Sequence, residues 1–182
     1  KQVPEELSPR IKEHRVEELL LDGLTSRKKT MPFFRNRTAI RLQGIPLHFP
    51  VPFSASKGVI KETQGSIDIL GRSRNGSLIS VWEVKCAGKS SHVVEQAYIY
   101  GLQILLLLRN TELEKRWLKL FGLNESRAGK RKIELVLAVS KEDRRGVEKE
   151  LEGMGPEIFR EGNDSFAVTG AYYTFNKTIL DV

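Results

Sequence analysis

An aspartate, a glutamate and a lysine interrupt two otherwise apolar segments of the chain: Asp68, Glu83 and Lys85. Asn75-Gly76 lies between these segments, and Asn-Gly between apolar runs is a strong signal for a tight β-hairpin. A hairpin that turns there places Asp68 opposite Glu83, with their β-carbons about 4.5–5.5 Å apart on one face. Two carboxylates this close repel each other, so a bound cation would explain their pairing, and oxygen ligands of this kind suit Mg²⁺ or Mn²⁺.

Lys85 is predicted to share the face of Glu83, because successive side chains of a strand point to opposite sides. Its ammonium group would stand beside the metal, where it could orient or activate water and stabilise charge that develops on a phosphate. Trp82 and Val84 are predicted to point the other way, into the core. The alternative is that Glu83 and Lys85 form an ordinary exposed ion pair. Against it, unpaired charges within buried apolar strands would cost several kcal/mol.

The elements that would position these residues follow a mixed α/β pattern. Ser8-Pro9 and Gly23 are typical of the two ends of a helix, which predicts a first helix over residues 9–22. The part of the chain that follows is rich in basic residues and proline. Alternating stretches at 38–42 and 47–53 predict a short hairpin or an irregular arm there.

Further helices and strands are predicted towards the carboxyl end. Ser91 can cap a helix that runs to about residue 109, and a capping box that begins at Thr111 opens a helix that Gly122 would end. The remaining elements are strands at 66–72, 78–85, 133–139 and 165–175, and a helix from 140 to about 153.

The order of these motifs resembles the core of a known nuclease superfamily. Residues 64–103 carry, in order, QGSIDIL, SVWEVK and a helix with EQAYIYG, and this order resembles the PD-(D/E)XK core. Gln96 and Tyr100, one helical turn apart, match the Gln-x-x-x-Tyr element of its RecB-like branches. Ile67 stands where the proline that names the motif would be. The resemblance implies a restriction-endonuclease-like fold, in which a mixed central β-sheet is flanked by α-helices.

The same resemblance implies roles for individual residues. Asp68 and Glu83 would ligate the metal, and the main-chain carbonyl of Val84 could add a third ligand. Lys85 would serve the attacking water. Gln96 would help to position Lys85 or the nucleic acid.

Members of this superfamily also commonly place a glutamate of the first helix in the site. The candidates are Glu13, Glu17 and Glu18. Glu13 and Glu17 share a helix face, and Glu13 is favoured because apolar residues follow it at plus three, plus six and plus seven, at positions 16, 19 and 20. The alternative is that all three glutamates are solvated helix charges.

Length and composition fit one domain that acts on a polyanion. The 182 residues are enough for one sizeable core, with a core at about 9–139 and a strand-helix-strand segment at 133–182 packed on it. The 30 Lys+Arg against 23 Asp+Glu give a net charge of +7, which favours nucleic acid as a partner. The single cysteine, Cys86, is predicted to be buried and fits a reducing compartment, so the expected location is the cytoplasm. The apolar runs are too short to span a bilayer.

The expected function is therefore metal-dependent hydrolysis of phosphodiester bonds, with DNA as the expected substrate. A homodimer would suit cleavage of both strands of a duplex. One alternative is a noncatalytic nucleic-acid-binding module on the same fold, and another is a basic protein-interaction domain. Phe33, Phe34, Phe49 and Phe53 could stack on bases, but core packing is the commoner role of phenylalanine.

Overall fold

The computed structural model describes residues 9–26, 34–40, 47–56, 59–86, 92–109, 114–122, 130–154, 157–161 and 164–175. Helices and strands alternate along these ranges. The helices are α1 (Pro9–Thr25), α2 (Val93–Arg109), α3 (Glu114–Phe121) and α4 (Arg144–Met154). The strands are β1 (Arg37–Ala39), β2 (Leu47–Val51), β3 (Ser54–Ser56), β4 (Val59–Lys61), β5 (Gly65–Ser73), β6 (Leu78–Lys85), β7 (Lys130–Ser140), β8 (Glu157–Glu161) and β9 (Asp164–Phe175).

A mixed sheet of seven strands forms the centre of the fold, as predicted. Its order is β1-β5-β6-β7-β9-β8, and β2 pairs with β5 as well. The β6–β7 and β7–β9 pairs are parallel, and the other pairs are antiparallel. The predicted hairpin or arm at 38–42 and 47–53 is wrong, because β1 and β2 both pair with β5 and extend the sheet. The short strands β3 and β4 pair with each other beside it.

The β5–β6 hairpin has the predicted register, with Ile69 opposite Trp82. Gly76 takes a positive φ of 68° in the turn, which glycine adopts without strain. Asn75 stabilises the turn through its side chain. Its Oδ1 accepts hydrogen bonds from the hydroxyl groups of Ser73 and Ser77, at 2.7 and 2.8 Å.

Helices cover both faces of the sheet. α1 packs on one face, where Trp82 and Val84 of β6 lie among its buried leucines. The other face carries α2, and the core there includes Val81 of β6 as well as residues of α3 and α4. β6 is consequently buried on both sides, and Trp82 and Val84 point into the core as predicted. Among the described residues, no helix is both long and apolar enough to cross a membrane.

The first helix departs from the prediction in length and in orientation. It continues through Gly23 to Thr25, because Gly23 is used for packing rather than for ending the helix. A β-carbon at Gly23 would lie only 2.7 Å from the ring of Phe34. Leu19 is 49% exposed, although it was predicted to face the core. Over residues 13–25 of α1, the buried residues are Val16, Glu17, Leu20, Leu21 and Leu24.

The carboxyl-terminal half agrees more closely with the sequence analysis. Gly122 follows α3 with a positive φ of 61°, so it ends that helix as predicted. α4 begins at Arg144 rather than at Ser140, whose hydroxyl group donates instead to Asp143 at 2.8 Å. β8 was not predicted. The predicted capping residues Ser91 and Thr111 lie outside the described residues.

Candidate functional site

Asp68, Glu83 and Lys85 lie together at one end of the strands of the sheet. β5 begins at this end and β6 finishes at it, because the two strands are antiparallel. The main-chain N–H of Val84 donates a hydrogen bond to Oδ2 of Asp68 at 2.8 Å. Nζ of Lys85 donates to Oε1 of Glu83, also at 2.8 Å. The hairpin register therefore brings together the three residues that the sequence analysis singled out.

Glu83 is fully buried, with 0% of its surface exposed. Its strand is central, since β6 pairs with β5 on one side and with β7 on the other, where Glu83 lies opposite Leu137. Within the described part of the chain, Oε2 of Glu83 is buried and has no hydrogen-bond partner. An unsatisfied carboxylate oxygen in such a place is costly unless the carboxyl group is protonated or binds a ligand.

The side chain of Lys85 is 20% exposed, so it connects the buried glutamate with solvent. Asp68 is partly buried. Each carboxylate uses one oxygen inside the protein, Oδ2 of Asp68 for the Val84 amide and Oε1 of Glu83 for Lys85. The second oxygen of each remains for a ligand, as far as the described residues show.

Burial dominates the electrostatics of both acids. It raises the pKa of the Asp68 carboxyl from 3.8 to about 7, although the charge of Lys85 and the Val84 amide oppose the rise. Burial, followed by the negative charge of Asp68, raises the pKa of Glu83 well above its ordinary value. Two acids whose charges are disfavoured in this way are ready to accept a cation.

Burial and nearby charges have opposite effects on the pKa of Lys85. Burial by itself favours the neutral amine, but the negative charges of Glu83 and Asp68 raise the pKa of Lys85 above its ordinary value. At neutral pH its side chain is therefore an ammonium group that donates hydrogen bonds.

Glutamates of α1 add negative charge to the site. Glu17 and Glu13 both raise the pKa of Asp68, and Glu17 has the larger effect of the two. Glu13 also raises the pKa of Glu83. Glu17 is buried and holds Nδ1 of His14 at 3.0 Å, whereas Glu18 is exposed.

Glu13 was favoured among the acids of α1 because apolar residues follow it at plus three, plus six and plus seven. One of these residues, Leu19, is exposed in the structure. The same test favours Glu17 once the buried residues are known, since apolar residues follow it at plus three, plus four and plus seven. Those residues are Leu20, Leu21 and Leu24, all of which are buried.

The two residues of the predicted Gln-x-x-x-Tyr element, Gln96 and Tyr100, have different surroundings. Gln96 lies in the first turns of α2, but no hydrogen bond joins its side chain to Lys85 among the described residues. The hydroxyl group of Tyr100 is buried and accepts from the main-chain N–H of Ala55 at 3.3 Å. One turn later, Gln103 bonds both the N–H and the carbonyl of Phe53, at 3.1 and 3.0 Å. Tyr100 and Gln103 thus fix the chain that leads into β3.

The remaining candidates differ in their surroundings. Cys86 is buried, as predicted. Phe34 and Phe49 belong to the core, and Phe53 is exposed; Phe33 is not among the described residues. Arg37, which lies in the basic part of the sequence after the first helix, forms an ion pair with Glu134 of β7. Its guanidinium group donates two hydrogen bonds to that carboxylate, at 2.9 and 2.6 Å.

The donor set fits a hard divalent cation held by two carboxylates. Mg²⁺ commonly binds through one or two carboxylates while it keeps several waters. The described residues contain no group of three or more His, Cys, Asp or Glu side chains arranged to hold a metal ion. Asp68 and Glu83 are the two carboxylates of this site that could hold such an ion, and the Val84 carbonyl remains a predicted third ligand.

No protein-family model, no curated protein and no solved structure matches this chain.

Proposed function

We propose that this protein is a metal-dependent nuclease that hydrolyses phosphodiester bonds, with DNA as the expected substrate and Mg²⁺ or Mn²⁺ as the cofactor. The observation that supports this most directly is that Oε2 of Glu83 has no hydrogen-bond partner among the described residues, although it is fully buried beside a second carboxylate and a lysine. A buried ion pair without further ligands would use only Glu83 and Lys85. Asp68 adds a second carboxylate beside this pair, and a bound cation would offset its negative charge.

Two carboxylates and an ammonium group suit hydrolysis of a phosphodiester. A divalent cation held by Asp68 and Glu83 would act as a Lewis acid and supply a nucleophilic water at neutral pH. Asp68 and Glu83 would hold the cation beside the buried end of β6, where electrostatic interactions are stronger than in water.

Lys85 contributes as a charged donor. Its raised pKa keeps the proton on Nζ at neutral pH, so the group can orient a water molecule or stabilise negative charge on the phosphate. It would not remove a proton from water in this state. Of the three roles considered for Lys85, the electrostatics favour orientation of water and stabilisation of charge over activation of water by removal of a proton.

The finer fold assignment is part of the same proposal. The mixed sheet, the β5–β6 hairpin with its two acids and the helix that follows have the order expected of a restriction-endonuclease-like domain. Glu17 and Glu13 would provide the acidic residue of the first helix. Gln96 would help to position Lys85 or the nucleic acid, and no hydrogen bond joins it to Lys85 among the described residues.

A cleavage assay tests the proposal. Labelled single strands, duplexes, flaps, four-way junctions and supercoiled circles would be incubated with Mg²⁺, Mn²⁺ or EDTA. The wild type should cleave at least one substrate with metal and none with EDTA. Lys85→Ala should lose cleavage while its binding, measured in EDTA, stays close to that of the wild type.

Lys149→Ala, which removes an exposed lysine of α4, is the matched control and should cleave like the wild type. Salt-sensitive binding by the wild type without cleavage of any substrate would overturn the nuclease assignment. It would favour a noncatalytic nucleic-acid-binding module instead.

A further inference from the structure

The sheet has a cationic end, at the opposite end of its strands from Asp68 and Glu83. Four exposed cations come together there from four parts of the chain, and we call them the cationic end: Arg35, Arg74, Lys119 and Lys132. β6 connects this end with the acidic site. At about 3.3 Å per residue, the distance from Leu78 to Lys85 along the strand is about 23 Å.

Main-chain hydrogen bonds hold these segments together. The N–H of Arg74 donates to the carbonyl of Asn36, next to Arg35, at 3.1 Å. The N–H of Lys132 donates to the carbonyl of Ser77 at 3.2 Å. The β5–β6 turn is thus bonded to the segment before β1 on one side and to β7 on the other.

Arg72 connects the end of α3 to the same turn. Its guanidinium group donates to the carbonyls of Ser73 and Arg74, at 3.2 and 3.5 Å. The group also lies beside Gly122, where an added β-carbon would be 3.1 Å from Nε. The N–H of Gly122 bonds back to the carbonyl of Lys119, at 3.1 Å, which places Lys119 at this end of the molecule.

The four cations are not neutralised within the described part of the chain, where none of them takes part in an ion pair. Glu134, an acid in the same part of β7, is already bound by Arg37. Uncompensated exposed cations on one end repel each other, so they add little to stability. They are arranged to meet an anion.

We propose that the cationic end binds the sugar–phosphate backbone of nucleic acid, as a second contact remote from the acidic site and independent of base sequence. The inference rests on the proposed function in one respect, that the nucleic acid bound is the substrate. Four separate cations from four parts of the chain suit a repeated phosphate charge better than a single small anion, which would need a pocket. Phosphates follow each other at 3.4 Å along one strand. A substrate that reaches both places must therefore extend about seven nucleotides beyond the scissile bond.

Charge reversal at the cationic end tests the inference. Binding of a labelled duplex of about twenty base pairs would be measured by fluorescence anisotropy in EDTA at several salt concentrations. Arg74→Glu/Lys132→Glu should bind at least about tenfold more weakly than the wild type, and its affinity should depend less steeply on salt. Adding Lys119→Glu should weaken binding further. Arg74→Gln/Lys132→Gln, a milder change in case the reversal impairs folding, should fall in between.

Lys61→Glu/Lys149→Glu is the control with the same change in net charge, at exposed lysines of β4 and α4. It should retain most of the affinity for the duplex. Equal weakening by the control would show that only net charge matters, and an unchanged Arg74→Glu/Lys132→Glu variant would show that the cationic end makes no contact. Either result overturns the inference.

Further measurements distinguish nucleic acid from an acidic protein partner. They also distinguish failure of this inference from failure of the nuclease proposal. Binding of poly-glutamate but not of the duplex would overturn the inference in favour of an acidic protein partner. Failure of the proposed function would appear as absence of metal-dependent cleavage by the wild type. Failure of the present inference would appear in the affinities, which are measured without metal and do not depend on cleavage.

Discussion

The main-chain N–H of Val84 donates a hydrogen bond to Oδ2 of Asp68 over 2.8 Å, so the aspartate holds the peptide that follows Glu83. This bond joins the two acids through the backbone rather than through their charges. It fixes the end of β6 against the beginning of β5. The spacing of the two carboxylates is therefore a property of the hairpin, and it does not require a bound cation.

Asp68→Asn is expected to stabilise the metal-free protein at neutral pH. The carboxyl has an ordinary pKa of 3.8, and burial raises it to about 7 in the fold. The folded protein therefore holds this proton more tightly than the unfolded chain does. The contribution of Asp68 to stability is fully present below pH 3.8 and is lost as the pH rises through about 7. Asparagine keeps an oxygen that can accept from Val84 but has no charge to bury.

Urea unfolding in EDTA between about pH 4 and pH 8 measures this difference. The wild type should lose stability relative to Asp68→Asn by a few kcal/mol over the range, at about 1.4 kcal/mol for each pKa unit. Glu62→Gln, at an exposed carboxylate, is the control and should follow the wild type. A constant difference between the wild type and Asp68→Asn at all pH values would contradict the explanation.

Divalent cations should stabilise the wild type and not Glu83→Gln. A cation that binds only the folded state adds about 2.7 kcal/mol at a hundred times its Kd. Glutamine removes the charge at the buried end of the site while it preserves the size of the side chain. The measurement is the midpoint of thermal unfolding with Mg²⁺, Mn²⁺ or EDTA. Equal metal-dependent shifts in both proteins would place the cation elsewhere, and Glu62→Gln again serves as the control.

Arg37→Ala should destabilise the protein by about 3 kcal/mol, because it leaves the carboxylate of Glu134 buried without its partner. Arg37 and Glu134 are largely buried, and their side chains are joined by two hydrogen bonds. The double variant Arg37→Met/Glu134→Leu should regain much of the loss. Arg35→Ala, at an exposed arginine nearby, should change the free energy of unfolding by less than about 0.5 kcal/mol. If the single and double variants were equally unstable, the buried charge would not be the cause.

Two glycine substitutions should have opposite effects on stability. A β-carbon on Gly65 would lie 2.5 Å from the main-chain oxygen of Phe53, a segment that Gln103 holds in place. Gly65→Ala should therefore destabilise by about 1–3 kcal/mol. Gly146 of α4 has nothing within 4 Å of its added β-carbon, and alanine there should stabilise by up to about 1 kcal/mol. Denaturant unfolding of both variants would decide, and destabilisation of equal size at the two sites would contradict the packing argument.

The local features of this fold could be predicted from the sequence. The turn at Asn75-Gly76 set the register, and the register placed Asp68 beside Glu83 on adjacent strands. Gly122 marked the end of α3. In each case the information lies within a few residues, where turn chemistry and side-chain alternation decide the outcome.

Features that depend on distant parts of the chain could not be predicted. Arg37 and Glu134 are 97 positions apart, and nothing in either neighbourhood indicates the other. The pairing of β1 and β2 with β5 is also nonlocal. Leu19 was assigned to the core and Glu17 was ranked below Glu13 because the helix pattern alone does not show which part of an apolar face meets the sheet.

The short connection between β5 and β6 has a consequence for the order in which the site forms. Hairpins close small loops and so form quickly, whereas pairing of β6 with β7 must join residues such as Leu78 and Lys132 across a long intervening segment. Asp68 and Glu83 therefore come together while both are still hydrated and their repulsion is weak. We expect water to leave them only when β7 and α1 complete the layers around β6. The last steps of folding, rather than the first, would then create the environment that raises the pKa of both acids.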